Sequence, residues 1–214
     1  MMNTSFVIAV VLVALSSYLL GSVNASLVVC KVTGKEDIRK FGSGNAGMTN
    51  MLRTYGKSAA AATAFGDFIK AVIAVILSRY IFAWLTTVSI DPGYIAGFFV
   101  MIGHSYPLYF GFKGGKGVMC TIGTITSINP LIFAALAAIC LPLILITRIV
   151  SLASIFGAIL FPIFVFVSLH LRGLPVLYET VSAAIIGGWI LYLHRSNIQR
   201  LLNGTENRFG SKKK

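Results

Sequence analysis

The sequence predicts an all-α, polytopic integral membrane protein of about seven transmembrane helices, one of them short or half-spanning, N-terminus outside and C-terminus cytoplasmic. Composition is the first reason. Of 214 residues, 57% are hydrophobic and 11% charged, and the mean hydropathy is +0.86, which excludes an ordinary soluble domain. The second is pattern: the apolar runs are long and unalternating, which in a bilayer specifies helices, since each segment has to satisfy its own backbone polar groups. The third is the placement of basic residues, which fixes the number of crossings.

The apolar runs cover roughly 5–30, 58–88, 93–112, 118–147, 149–169 and 176–193, each weighed against about 20 residues per crossing. No basic residue precedes the first run and no small-residue cleavage site follows it, so it reads as a retained anchor. Ser17, Gly21 and Ala25 recur there every four residues, the spacing of close helix packing, with Asn24 available for an interhelical hydrogen bond. The fourth run is long enough for one helix or two, and Asn129-Pro130 is the place to break it. With that break, fifteen of the eighteen Lys and Arg fall on one side, in 31–57, Lys113, Lys116, Arg148 and the tail from Arg195 to Lys214. Arg79 and Arg172 fall on the other side and Lys70 within a span, whereas without the break the basic tail would lie opposite the basic 31–57 loop. Residues 118–128 are few for a crossing and carry Thr121, Thr124, Thr126 and Ser127, so a half-crossing stays open. The net charge of +12 and the terminal Ser-Lys-Lys-Lys suit a cytoplasmic face against anionic lipid. No nucleic-acid partner is expected, and residues 1–214 read as a single membrane-embedded domain. Cys30, Cys120 and Cys140 lack disulfide or ligand spacing and read as packing residues.

Three segments on the basic side carry candidate chemistry. In "DIRKFGSGNAGMTNMLRTYGK", Asp37 to Lys57, Gly42, Gly44 and Gly47 let backbone N–H groups approach an anion. Ser43, Asn45, Thr49 and Asn50 add side-chain donors and Arg53 a planar cationic fork. A surface turn with permissive glycines is the plain alternative. In "GHSYPLYFGFKGGKG", Gly103 to Gly117, Lys113 and Lys116 alternate with Gly114, Gly115 and Gly117. The spacing is not that of a nucleotide-binding P-loop, but it makes a flexible cationic clamp, unless it is a basic loop that only sets topology. His104 lies about two turns before Lys113 if the helix continues past Pro107; a hydrogen-bonded packing histidine is the alternative. In "HRSNIQRLLNGTENR", His194 and Asn197 are three residues apart and share a helical face, where they can position or activate a hydroxyl, with Gly204 as a stop signal. An interfacial helix with snorkelling basic side chains is the alternative. Asp67 and Lys70, an i, i+3 pair in "FGDFIKA", are functional or mutually neutralising, at a depth set by whether their helix begins near Ser58 or nearer Gly66.

Taken in order, "SSYLLGSVN", "FGSGNAGMTNMLR", "GDFIK", "GHSYPLYFGFKGGKGV" and "HRSNIQRLLNGTENR" resemble the bacterial glycerol-3-phosphate acyltransferases of the PlsY type, from about Ser17 to Arg208. Met48 stands where Ala is usual, Ala71 where Gly commonly follows the lysine, and "GVMCT" replaces "GVAT". None of these removes a donor or a charge. The resemblance implies transfer of an acyl group from acyl phosphate to glycerol 3-phosphate, giving lysophosphatidic acid and phosphate, at the cytoplasmic face of a bacterial inner membrane. It implies no cofactor or metal, and a functional link to an enzyme that makes acyl phosphate. It assigns catalytic roles to Ser43, Arg53, His194 and Asn197, phosphate binding to the loop Gly111–Gly117, and structural importance to Glu206.

The chemistry is consistent with the residues. Acyl phosphate is a mixed anhydride with a good leaving group, so a covalent enzyme intermediate is unnecessary. The H-x-x-x-x-D signature of acyl-CoA-dependent acyltransferases is absent, since Tyr109, Pro175 and Gln199 stand five residues after His104, His170 and His194. A transporter of phosphorylated metabolites would also use an intramembrane ion pair and cationic loops. Against it, no inverted repeat is visible and the glycine motifs map to one face. A non-catalytic membrane subunit gives no reason for three anion-suited loops on one side.

Overall fold

The computed structural model of the chain describes residues 4–208; Lys212, Lys213 and Lys214, counted above on the basic side, lie outside them. Ten α-helices and no strand occur among the described residues. They are α1 (Thr4–Ser22), α2 (Ala25–Val32), α3 (Met48–Tyr55), α4 (Lys57–Leu85), α5 (Gly93–Ser105), α6 (Val118–Ile128), α7 (Pro130–Thr147), α8 (Val150–Leu171), α9 (Leu177–Leu193) and α10 (Arg195–Leu202). Four stretches are long and apolar enough to cross a membrane: Thr4–Val32, Lys57–Leu85, Pro130–Thr147 and Val150–Leu171. The chain divides into two compact units, Met1–Ile128 and Asn129–Lys214.

In the first unit, α1 packs on α4 and α5, and α4 also on α2, α3 and α6. Small residues make this closeness possible: a Cβ on Gly21 would strike the Val100 backbone of α5, and one on Gly103 would strike the Tyr18 carbonyl of α1. Ala9, Val13, Ala71, Val75, Ala96 and Val100 fill the space between these helices.

The first apolar run is not one helix. It breaks at Val23–Asn24, so Ala25 sits on α2 facing Gly66 of α4, off the stripe on which Ser17 and Gly21 lie buried. Asn24 produces the break: its side-chain oxygen accepts from Leu27 N–H and Ser26 Oγ–H, the local capping bonds by which Asn ends one helix and begins another. Carbonyls freed at such a break need donors, the more so in an apolar segment. Lys70 Nζ supplies them, to Gly21 O at 3.0 Å and Val23 O at 2.9 Å. Asp67 Oδ1 neutralises the ammonium at 2.8 Å and accepts from Ala25 N–H. α4 begins at Lys57, behind Gly56 at φ +84°, so Asp67 and Lys70 lie about three turns inside it.

α6 has eleven residues and rises about 16 Å, roughly half the hydrocarbon thickness of a bilayer. Beyond it, the break expected at Asn129-Pro130 is present: Asn129 Oδ1 accepts from Leu131 and Ile132 N–H, and Pro130, which has no N–H to lose, opens α7. In the second unit α8 packs between α7 and α9, with Ala158, Phe161, Val165, Ala183 and Ile186 buried.

Removing one member of a buried pair leaves the other charge uncompensated, so Lys70→Met should lower the detergent thermal midpoint by roughly 6–12 °C. The double variant Asp67→Asn/Lys70→Met should recover part of that loss. Equal midpoints for Lys70→Met and wild type would show that the ammonium does not hold the break.

Candidate active site

The first glycine loop is built around Asn50. Its Nδ2 donates to Ile38 O at 3.2 Å, Phe41 O at 2.9 Å and Asn45 O at 3.1 Å, and its Oδ1 accepts from Ser43 N–H at 3.2 Å. Asn50 thus gathers both arms of the loop, which is a shaping role. Gly42 and Gly44, at φ +58° and +71°, turn the chain on either side of Ser43, and a Cβ on Gly42 would strike Asn50 Oδ1. Ser43 is left exposed, its Oγ accepting from Asn45 Nδ2. Gly47 caps α3, whose first turn carries Thr49; Arg53 stands exposed on the same helix, one turn after Asn50.

The second loop folds back on α5. That helix ends at Ser105, ahead of Pro107, so His104 and Lys113 do not share a helical face. Gly114 N–H donates to Ser105 O and Gly115 N–H to His104 O, and side chains on either glycine would strike backbone carbonyls of His104 or Ala46. Gly111 and Phe112 both lie in the left-handed region, at φ +69° and +58°. Gly117, at φ +74°, backs onto Met101 and leads into α6. Lys113 is exposed and Lys116 half-buried.

The two loops are fastened to each other. Ala46 N–H donates to Gly114 O at 3.3 Å, and Asn24 Nδ2 reaches both Ala46 O and His104 O. Arg39, which sequence reasoning passed over, adds a third tie: its Nη1 donates to Phe110 O at 2.7 Å and Lys113 O at 2.8 Å, while Nε and Nη2 grip the Asp37 carboxylate. The sequence signal was an Asp placed to cap the 3₁₀ turn Ile38–Lys40 with an Arg two residues later.

His104 is buried below this assembly, with Nδ1 at 3.2 Å from Asp67 Oδ1 and 3.1 Å from Lys70 Nζ. Lys70 has three protons, and Gly21 O, Val23 O and Asp67 Oδ1 account for them. Nδ1 of His104 therefore carries its own hydrogen, donated to Asp67, and Nε2 faces Gly115. Asp67, His104 and Cys120 also bring three potential ligand atoms within 4.8 Å of one another. The Lys70 ammonium already on the Asp67 oxygen makes that cluster a poor fit for a metal cation.

The third motif lies in the second unit. His194 is the junction residue between α9 and α10, its Nδ1 donating to Ile190 O at 2.8 Å, and Asn197 follows within α10; both are buried. Gly204, at φ +67°, turns the chain back after α10 so that Glu206 meets it. Glu206 accepts from Asn197 Nδ2 at 2.9 Å, Ser151 Oγ at 3.0 Å and Arg200 Nε at 2.8 Å. Ser151, at the head of α8, is a second residue that sequence reasoning missed. Buried among three donors, Glu206 fixes which way the Asn197 amide points.

A family model described as glycerol-3-phosphate acyltransferase matches residues 11–204. A glycerol-3-phosphate acyltransferase of Clostridioides difficile is 41% identical over 204 residues, covering 95% of this chain and 97% of its own. One of Halalkalibacterium halodurans is 43% identical over 210 residues, covering 94% and 96%. Among solved structures, PlsY, an integral membrane glycerol 3-phosphate acyltransferase, in its glycerol 3-phosphate form superposes with a TM-score of 0.82 at 37% identity, over 94% of this chain and 96% of that one. A lysophosphatidic acid form of PlsY superposes with a TM-score of 0.76. With the three motifs each in an ordered, hydrogen-bonded setting and the match running nearly end to end, the chain belongs to the glycerol-3-phosphate acyltransferase family.

Proposed function

We propose that this protein transfers an acyl group from acyl phosphate to glycerol 3-phosphate, yielding lysophosphatidic acid and inorganic phosphate. The observation that carries this reading is the fastening of the Ser43/Arg53 loop to the Lys113/Lys116 loop, which gives one rigid, cation-bearing frame suited to phosphorylated substrates. Membership of the family and the glycerol 3-phosphate and lysophosphatidic acid forms of PlsY support it. Acyl phosphate is the donor because no H-x-x-x-x-D signature is present and no activated nucleophile is needed for so reactive an anhydride.

In this reading Ser43 and neighbouring amides, with Arg53, bind the acyl phosphate, and Gly42, Gly44, Asn45, Gly47, Thr49 and Asn50 shape that loop. Lys113 and Lys116, carried by Gly114, Gly115 and Gly117 over His104, hold a phosphate group. His194 and Asn197 orient the attacking hydroxyl, and Glu206 orients Asn197. The hydroxyl oxygen bonds to the acyl carbon, the bond from that carbon to phosphate oxygen breaks, and phosphate leaves. The hydroxyl proton passes either to His194, whose Nδ1–H bond to Ile190 O leaves Nε2 as the basic nitrogen, or to the donor's own phosphate.

The chain acts as one domain over residues 1–214, crossing a bacterial cytoplasmic membrane about seven times with α6 a half-crossing. The N-terminus lies outside and the site faces the cytoplasm, the arrangement that best fits the distribution of basic residues. Membrane lipid surrounds the acyl chain, and an enzyme that makes acyl phosphate supplies the donor.

Detergent-purified protein given palmitoyl phosphate should release phosphate only when glycerol 3-phosphate is added, with lysophosphatidic acid as co-product and no turnover of palmitoyl-CoA. Arg53→Ala and Lys116→Ala should each lower kcat/KM by about 100-fold or more, the loss expected for a charged contact to a phosphate. A folded wild type that is inert with acyl phosphate but active with acyl-CoA would overturn the choice of donor. For the proton, His194→Gln decides: a fall in kcat on the order of 100-fold, steeper at low pH for wild type than for the variant, assigns it to His194. Normal turnover assigns it to the donor phosphate.

A further inference from the structure

Arg39 is given no substrate contact in the reading above, yet its guanidinium engages the lysine loop directly. The turn from Phe110 to Lys113 contains Gly111 and Phe112, both left-handed, and a bulky residue at φ +58° is held there only by its surroundings. The carbonyls that bracket this turn, Phe110 O and Lys113 O, both receive hydrogens from the same nitrogen, Nη1 of Arg39. The other edge of the guanidinium is locked in a two-pronged contact with Asp37, Nη2 to Oδ2 at 2.6 Å and Nε to both oxygens at 3.0 Å. Asp37 also accepts from Arg39 N–H, fixing the 3₁₀ turn that places the arginine, and the next turn residue, Ile38, is buried and hands its carbonyl to Asn50 of the first loop. A single planar group thereby ties the backbone of the lysine loop to the backbone of the serine loop.

We propose that Arg39, braced by Asp37, is a positioning residue that fixes the turn carrying Lys113 and Lys116 and so sets the affinity of those lysines for a phosphate group. The inference rests on the reading of Lys113 and Lys116 as phosphate ligands. Lysine cannot substitute, because its ammonium is a point charge on a flexible stem and cannot span a carboxylate and two carbonyls at once. The hydrogen bond from Arg39 holds the Asp37 carboxyl below the usual carboxylate range. A carboxyl so lowered contributes stability that is present above its ordinary value of 3.8 and is lost only as pH falls through the lowered one, so the brace is intact at neutral pH.

The test is steady-state kinetics of the full chain in detergent, varying palmitoyl phosphate and glycerol 3-phosphate separately, with a thermal midpoint for every variant. Lys113→Ala and Lys116→Ala first identify which substrate depends on the lysine loop. Arg39→Lys should then raise KM for that same substrate by about tenfold or more while kcat changes less than about threefold. Asp37→Asn should do the same to a smaller degree, and added guanidinium ion should lower the raised KM of Arg39→Ala. If the lysine variants raise a KM but folded Arg39→Lys and Asp37→Asn do not, the positioning role is wrong and the phosphate-binding reading stands. Lysine variants with both KM values unchanged would instead remove that reading, and this inference with it. Arg39 variants that lose kcat and thermal midpoint together at constant KM would show a merely structural residue; should they fail to fold, the KM of Asp37→Asn decides alone.

Discussion

One ammonium group ties α4 to the break between α1 and α2. An apolar segment that breaks between α1 and α2 frees carbonyls that no continuing helix satisfies. Lys70 reaches them from α4, and the consequence is directional. Its charge requires Asp67 beside it; Asp67 also accepts a hydrogen bond from His104 Nδ1–H, and the His104 backbone carbonyl in turn accepts from Gly115 N–H and from Asn24 Nδ2. The lysine loop therefore stands on a chain of polar contacts that begins at a helix break within the apolar part of the chain. Buried charges are costly alone and tolerable as a saturated set, which is how Asp67, Lys70 and His104 persist among alanines and valines.

How much of this was legible in the sequence follows the range of the interactions. Breaks announced by local chemistry were readable: Asn129-Pro130 ends one helix and begins the next through the side chain and ring of those two residues, and Gly204 stops α10. The Asp67/Lys70 pair was readable as a neutralising pair, because three residues on a helix fix the geometry. The break at Val23–Asn24 was not, since a lone Asn in an apolar run looks like a packing polar residue. Its effect there depends on Lys70, 46 residues later. The glycine motifs could be found but not apportioned. That Asn50 shapes the loop, that the His104 ring meets Asp67 and that Arg39 holds a turn 71 residues distant are all products of tertiary contact.

That apportioning bears on how the site would hold an anion. Glycine-rich loops suggest a cradle of backbone N–H groups. Several of those groups are engaged by the chain itself: Ser43 N–H with Asn50, Gly44 with Phe41 O, Gly47 with Asn45 O, Gly114 with Ser105 O and Gly115 with His104 O. The glycines at 114 and 115 are there because backbone crosses backbone, with no room for a Cβ. In the proposed reading the negative charge then falls mainly to side chains, Arg53 and the two lysines, with the Ser43 hydroxyl and neighbouring amides as weaker, neutral donors. A site of this kind binds through side chains, so its geometry is only as good as the backbone that carries them. This is the physical reason for tying the two loops so heavily to each other: cations on a loose loop would neutralise a phosphate without orienting it, whereas acyl transfer needs the acyl carbon and the hydroxyl within reach along a defined line.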